Sequence, residues 1–273
     1  MNGGSYLTMA VRAVVVILGL VGLYYAYQYM FGTAGQNSSV LIGPKTPAQV
    51  DPTKVTVIPS ASLPPLYEGG EFSVSMFVYI QNWSYRMGRN KHILSIGGNN
   101  FDTIRIYLGA NKPNLRVRLH THTQGQVVTP PTSQPTDNLN KNTQQTIFTT
   151  LETDSDLSSE GTPLCDLPEI DMQKWVHIVV AVNAKTVDVY MDGKLARSCV
   201  LPTFYKVDAG SYNATLLNYG GFGGYVASVN MYSYAMSPDQ VYHQYMAGPA
   251  PITDFGTYLT SFFAPSQQGP QVP

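Results

Sequence analysis

The residues best suited to chemistry fall in a few short clusters. Arg116, Arg118, His120 and His122 recur every second residue, interleaved with Leu115, Val117 and Leu119, so a strand over 115–122 presents all four on one polar face. Two histidines at that spacing are able to ligate a metal, but the neighbouring guanidinium groups repel a cation. A solvated or partner-facing strand face is therefore expected, one able to accept an anionic sugar or a carboxylate. Asp154, Asp156 and Glu160 form an acidic stretch that is a weak calcium candidate. It lacks the glycine and the remaining oxygen positions of a recognised calcium loop, so a solvated loop is the preferred reading and no other cofactor is expected. Cys165 and Cys199 are too few for a disulfide scaffold and lack the paired spacing of a zinc site. Either one disulfide in an oxidising compartment or two buried thiols in a reducing one fits them. The triplets at Asn37, Asn82 and Asn213 satisfy the glycosylation rule, which matters only in a secretory lumen or outside the cell. No Ser/His/Asp array or redox cysteine motif is present, and the glycines at 220–224 lie between two strands, where they suit a tight turn better than a phosphate loop.

These clusters need a scaffold, and apolar periodicity supplies its outline. Residues 11–31 are almost wholly apolar, with Arg12 at the start and Tyr24, Tyr25, Tyr27, Tyr29 and Phe31 crowding the end. About 20 such residues cross a bilayer as a helix, and amphipathic rings favour the headgroup boundary. A retained anchor is expected rather than a cleaved signal, whose apolar region is shorter. Arg12 places the N-terminus on the cytoplasmic or interior side. Residues 32–66 are rich in Pro, Ser, Thr and Gly and predict an extended spacer, with an edge strand where Val55, Thr56, Val57 and Ile58 alternate.

From Phe72 through Val74, Met76, Val78 and Ile80 the period becomes two. Further short strands are expected at 92–96, 103–108, 115–122, 175–183, 187–191, 194–199, 214–219 and 225–234, separated by Gly, Asn, Asp or Pro. Many short strands without intervening helical patterns predict a mostly β, antiparallel two-sheet sandwich. The Thr/Gln/Asn/Pro-rich stretch 123–163 reads as a loop insertion outside the core and a candidate contact surface. Ser237, Pro238, Asp239 and Gln240 combine a cap, a first-turn proline, an acid and a box-closing amide, so a short helix starts there and ends before Gly248. The division expected is an N-terminus and transmembrane helix at 1–31, a linker at 32–66, a sandwich at 67–248 and a Pro/aromatic tail at 249–273. That tail carries Phe255, Tyr258, Leu259, Phe262 and Phe263 and is expected to dock on a neighbour.

Trp175, His177 and the apolar run to Val182, followed by Val189, Tyr190, Met191, Asp192 and Gly193, resemble the laminin-G-like signature of a W-x-H strand paired through a D-G turn. Independently of any family, Asp192-Gly193 supplies the positive φ angles of a tight hairpin. Residues 223–232 and the Ser237 helix start are similar to that family's closing strand and helix. The clear resemblance covers residues 175–246 and implies a concanavalin A-like jelly-roll sandwich of the lectin/glucanase superfamily. Its glucanases use an E-x-D-x-x-E strand; here Glu169 and Asp171 are followed by Lys174, so the carboxylate pair that glycoside hydrolysis requires is broken and a non-enzyme is expected. A lectin-like fold also implies sugar stacking on exposed aromatics, for which Trp83, Tyr85 and Tyr107 are the candidates.

Only 12% of residues are charged, where about 25% is usual, and the net charge is −1 with no run of Lys or Arg. That excludes a nucleic-acid partner. The 19 tyrosines and sparse charge suit lasting protein contacts. A membrane-anchored scaffolding protein is the expectation, its partners being the bilayer through residues 11–31 and neighbouring proteins. The architecture resembles minor capsid or membrane-linking components of large virus particles, with a location at a virion membrane or capsid. A carbohydrate-binding cell-surface or virion receptor or adhesin is the alternative.

Overall fold

Phe72, Val74, Met76, Val78 and Ile80 are each at most 1% exposed, which is what strand alternation demands when one face meets a second sheet. A computed structural model describes residues 12, 14–23, 38–43, 45–122, 141–152, 165–208 and 212–249. Its strands, in chain order, are β1 (Ser38–Ile42), β2 (Thr46–Gln49), β3 (Thr56–Ile58), β4 (Glu71–Asn82), β5 (Lys91–Gly97), β6 (Asp102–Leu108), β7 (Leu115–Leu119), β8 (Trp175–Asn183), β9 (Thr186–Met191), β10 (Lys194–Val200), β11 (Asn213–Leu216) and β12 (Gly221–Tyr232). The helices are α1 at 14–23, α2 (Lys141–Thr149) and α3 (Pro238–Ala247). All pairings between strands are antiparallel. One sheet runs β1-β12-β4-β8-β9-β10 with β2 also on β12, and the other runs β3-β11-β5-β6-β7. The inward rows of both sheets merge in a single apolar core. Each fully buried aliphatic or aromatic side chain there stabilises the fold by about 1.5–3 kcal/mol.

β8 is buried on both faces between Val176 and Val182, as its unbroken apolar run requires. Its outer face lies under α3, where Val179, Ala181 and Tyr190 pack on Met236 and Val241. The helix begins with a reciprocal box: the Gln240 backbone N–H donates to Ser237 Oγ at 3.4 Å and the Ser237 N–H donates to Gln240 Oε1 at 2.9 Å. Asp192 and Gly193, at φ 49° and 77°, turn β9 into β10. Gly224 allows β12 to pass close to β4, since a Cβ there would stand 1.9 Å from the Tyr79 carbonyl oxygen.

Three expectations need correction. The Pro-rich stretch expected to be a spacer joins the sandwich, since β1 and β2 pair with β12, while the edge strand expected at 55–58 is β3, paired with β11 at the margin of the other sheet. Proline is tolerated because these short strands lie at sheet margins. The insertion contributes α2, whose Phe148 is fully buried, so it does reach the packed interior. The strand expected over 115–122 stops at Leu119, beyond which His120 and His122 bond backbone groups of other segments. In α1 the apolar residues from Val14 to Leu23 are 46–69% exposed. Among the described residues no helix is long and apolar enough to cross a membrane, and the remainder of the expected 11–31 span lies outside them. So does the tail from residue 250 onward.

Candidate functional site on the outer faces of the sandwich

Strands β5, β6 and β7 turn Ile96, Ile104, Ile106, Leu115, Val117 and Leu119 into the core. Alternation therefore aims His92, Ser95, Arg105, Tyr107, Arg116 and Arg118 at the opposite face. That face is roofed. The Phe148 ring of α2 stacks on Tyr219 at 5.2 Å and meets His92 and Tyr107 edge-on at 5.1 and 5.4 Å. All six outward side chains are buried, Arg105 and Tyr107 to 1% exposure.

The charges on this face are neutralised within the chain. Asp102 accepts from Arg105 Nε and Nη2 at 2.9 and 2.7 Å and also meets the Lys141 ammonium. Arg116 pairs with Glu152 at 3.3 Å, and Arg118 forks onto both carboxylate oxygens of Asp166, its Nη2 at 3.1 Å. Both guanidinium groups lie about 6 Å from the Tyr107 ring centre. His120 stacks on Phe101 at 4.1 Å, while His122 reaches Glu68 at 3.0 Å on exposed surface. The expectation of a solvated, anion-accepting face is thus corrected for Arg116, Arg118 and His120. The partners of the two arginines, Glu152 and Asp166, come from 141–170, a segment the strand pattern alone does not place, while His120 is taken up by Phe101 just ahead of β6.

His92 and Ser95 are adjacent in a way that would suit a base and a nucleophile, at 3.2 Å. The Asn218 N–H donates to His92 Nδ1 at 3.1 Å, which leaves Nε2–H to donate to Ser95 Oγ. Ser95 Oγ also accepts from Gln144 of α2 at 3.3 Å. Burial, with Arg105 and Lys141 nearby, holds His92 well below the usual imidazole range. Both side chains are buried beneath the roof, each 1% exposed.

Trp83, Tyr85 and Tyr107 do not form a common platform. Trp83 Nε1–H donates to the Asn111 carbonyl at 3.2 Å and its ring lies 3.9 Å beneath the Lys91 ammonium. Burial lowers that lysine to about 8, with Arg86 adding to the effect. Tyr85 donates to the Gly220 carbonyl at 3.0 Å, and Tyr107 is under α2. Cys165 and Cys199 form a disulfide with Cα atoms 5.9 Å apart, linking the end of the insertion to β10. Lys174 bridges Asp171 at 2.6 Å and Asp192 at 3.3 Å, and this raises its pKa. Glu169 and Asp171 are thus exposed groups on the approach to β8. Asn82 is exposed, whereas Asn213 accepts from the Ser60 N–H at 3.3 Å within β11. Asn37, Asp154, Asp156 and Glu160 lie outside the described residues. Among the described residues no three His, Cys, Asp or Glu side chains group as a metal site.

The outer face of the larger sheet differs. α3 covers its middle, with Tyr245 stacked on His177 at 6.2 Å and Phe77 against the same imidazole at 4.5 Å. Burial lowers His177 to about 4, while Gln244 and Asp192 pull weakly the other way. One step along the strands the helix ends its cover. There Tyr225, Tyr79 and Trp175 are direct cross-strand neighbours and partly buried, with ring centres 6.2 and 5.5 Å apart, ring planes tilted by 56° and 55°, and the Lys45 ammonium 4.0 Å over Tyr225. Sequence reasoning missed this row because its members lie far apart in the chain and only the β12-β4-β8 register aligns them.

Residues 138–242 match the family model for the Concanavalin A-like lectin/glucanases superfamily. No curated protein matches the chain. Among solved structures, the receptor binding domain of botulinum neurotoxin D is similar at 12% identity and a TM-score of 0.52, covering 79% of this chain and 49% of that one. The botulinum neurotoxin serotype D ligand binding domain in complex with N-acetylneuraminic acid matches at 12% identity and a TM-score of 0.49, covering 79% and 47%. A Trypanosoma rangeli sialidase matches at 13% identity and a TM-score of 0.39, covering 68% and 24%. The chain spans about half the length of the neurotoxin domains, and the likeness is one of fold.

Proposed function

We propose that this chain, which carries a concanavalin A-like lectin/glucanase domain over residues 138–242, is a non-catalytic module held at a membrane and used for contacts with neighbouring macromolecules. The observation that carries this reading is the closed charge layer: Arg105, Arg116 and Arg118 are paired with the chain's own Asp102, Glu152 and Asp166 under α2. Side chains so engaged build a wall on that face, and their charges are spent on the chain's own carboxylates rather than offered to a substrate. The anchor is supported by α1, where Val14 to Leu18, Leu20, Val21 and Leu23 all stand exposed. Consecutive apolar side chains on every side of a helix belong in hydrocarbon.

On this reading the protein is a scaffold, of the kind that links a membrane to the shell of a virus particle as a minor capsid component. Flotation of the full chain with liposomes tests the anchor: comigration is expected, and a chain left at the bottom of the gradient removes the membrane role. Mass spectrometry of purified particles tests the assembly role, and absence from them removes it. A carbohydrate-binding receptor or adhesin is the second reading, favoured by the partly exposed aromatic side chains Tyr79, Trp175 and Tyr225 on the larger sheet.

A further inference from the structure

We propose that the end of the sandwich displaying Tyr67, Val200 and Phe204 seats on the lipid headgroup surface, so that the domain stands on its membrane with the Asn82 end outermost. The inference rests on the reading of the chain as membrane-held and adds which surface meets the lipid. Register identifies the end. Ser38, the first residue of β1, lies opposite Tyr232, and Tyr232 lies opposite Ser73 near the start of β4. Two residues back along β4, Glu71 lies opposite Asn183, Asn183 opposite Thr186 and Thr186 opposite Val200. The chain therefore enters the sandwich at the end that carries the turn before β4, the turn between β8 and β9 and the last residue of β10.

Chain length decides which end can meet the bilayer. The apolar stretch expected to span it closes at Phe31, seven residues before Ser38. Seven peptide steps reach at most about 25 Å when fully extended. Asn82, at the other end of β4, stands nine residues beyond Ser73, a rise of about 31 Å. With the Asn82 end against the lipid, Ser38 would lie farther from the bilayer than its tether extends. With the Tyr67 end there, it lies within reach. Met87 and Leu151 are also exposed apolar side chains, but they belong to the Asn82 end.

The side chains at the near end have the chemistry of a headgroup boundary. Tyr67, Val200 and Phe204 are 70%, 71% and 46% exposed. The fold holds the two rings from beneath: the buried Tyr205 hydroxyl donates to the Tyr67 carbonyl, and the His122 N–H donates to the Phe204 carbonyl at 3.1 Å. Phe204 also lies over Gly69, where a Cβ would stand 3.0 Å from its ring. The Lys185 ammonium is 5.0 Å from the centre of that ring, and Lys206 is 5.1 Å from the centre of Phe101. Among the described residues neither ammonium has a carboxylate partner, whereas Glu68 is taken up by His122 and the Val207 N–H, and Glu71 by the Ala235 N–H. Apolar and aromatic groups beside such cations let rings enter the acyl boundary while ammonium groups stay level with lipid phosphates.

Both native tryptophans lie towards the Asn82 end, Trp83 next to it in the chain and Trp175 opposite Tyr79, so they report lipid at the wrong end. The full chain is reconstituted in vesicles of phosphatidylcholine and phosphatidylserine, with and without phosphatidylcholine brominated on the upper acyl chain. Tyr67→Trp and Phe204→Trp variants are compared with the native protein. Brominated lipid is expected to quench the emission added at 67 and 204 and to leave that of Trp83 and Trp175 unchanged. If Phe204→Trp does not fold, Tyr67→Trp, at the more exposed position, decides. Vesicle flotation separates the two claims. A chain that floats with its added tryptophans unquenched, or with its native pair quenched, keeps the membrane reading and overturns this orientation. A blue shift of the added tryptophans that follows protein concentration and ignores bromine assigns the rim to a second copy and overturns it too. A chain that does not float removes both.

Discussion

The two outer faces of this sandwich are built by the same alternation and end in opposite states. On the five-stranded sheet the outward residues are charged, and the chain closes over them with α2, Glu152 and Asp166. On the larger sheet they carry few charges, with Ser73, Ser75 and Gln81 among apolar and aromatic side chains, and α3 lies over Phe77, His177, Val179 and Ala181 but leaves Tyr79, Trp175 and Tyr225 only partly buried. The pairing lesson is that polarity alone does not identify the accessible face. Burying ions requires partners in place, so a charged face supplied with partners by its own chain becomes interior.

The comparison breaks most sharply at the charged face. Asp102→Ala leaves Arg105 and Lys141 without this carboxylate in a buried site and should cost about 3–5 kcal/mol in denaturant unfolding. A loss under about 1 kcal/mol would mean the layer is wet. Phe148→Ala, which opens the roof, should cost about 3 kcal/mol or more, while Met246→Ala on the exposed side of α3 should stay within about 0.5 kcal/mol.

Acid probes the other face. His177 sits at about 4 when folded against an ordinary 6.5, so between those values the unfolded chain binds the extra proton. Stability should therefore fall as pH drops from 6.5 towards 4, by on the order of 2–3 kcal/mol, and His177→Phe should flatten that segment of a pH–stability curve. Lys91, at about 8 folded and 10.5 unfolded, works at the alkaline end. Its destabilising contribution is complete below pH 8 and is relieved as pH rises to 10.5, a slope that Lys91→Met should abolish. The smallest effect expected is at the α3 start, where Ser237→Ala should cost about 1 kcal/mol.

Much of the inner architecture is legible in the sequence because each inward residue repeats every second position. β4 reads from Phe72 to Ile80, β8 from its uninterrupted apolar run, the β9–β10 turn from Asp192-Gly193 and α3 from its capping box. β1 and β2 escape such reading because they borrow their regularity from β12, and Pro47 disguises a strand whose margin position tolerates it. α2 is hidden in a Gln/Asn/Thr-rich run in which Phe148 alone is shown fully buried, held by rings from β5 and β6. The polar row of β7 is visible as a pattern, but whether it meets water depends on Glu152 and Asp166, which approach from distant segments. The aromatic row likewise exists only once three strands are in register.

Covalent footprinting of aromatic side chains on the full-length, membrane-held chain tests the asymmetry of the two faces most directly, with mass spectrometry reading the label at each ring. The account predicts strong labelling of Trp175, Tyr79 and Tyr225 and protection of Tyr107, His92 and Phe148. Strong labelling of Tyr107 and Phe148 in the native protein, with the Trp175 row protected, would contradict it.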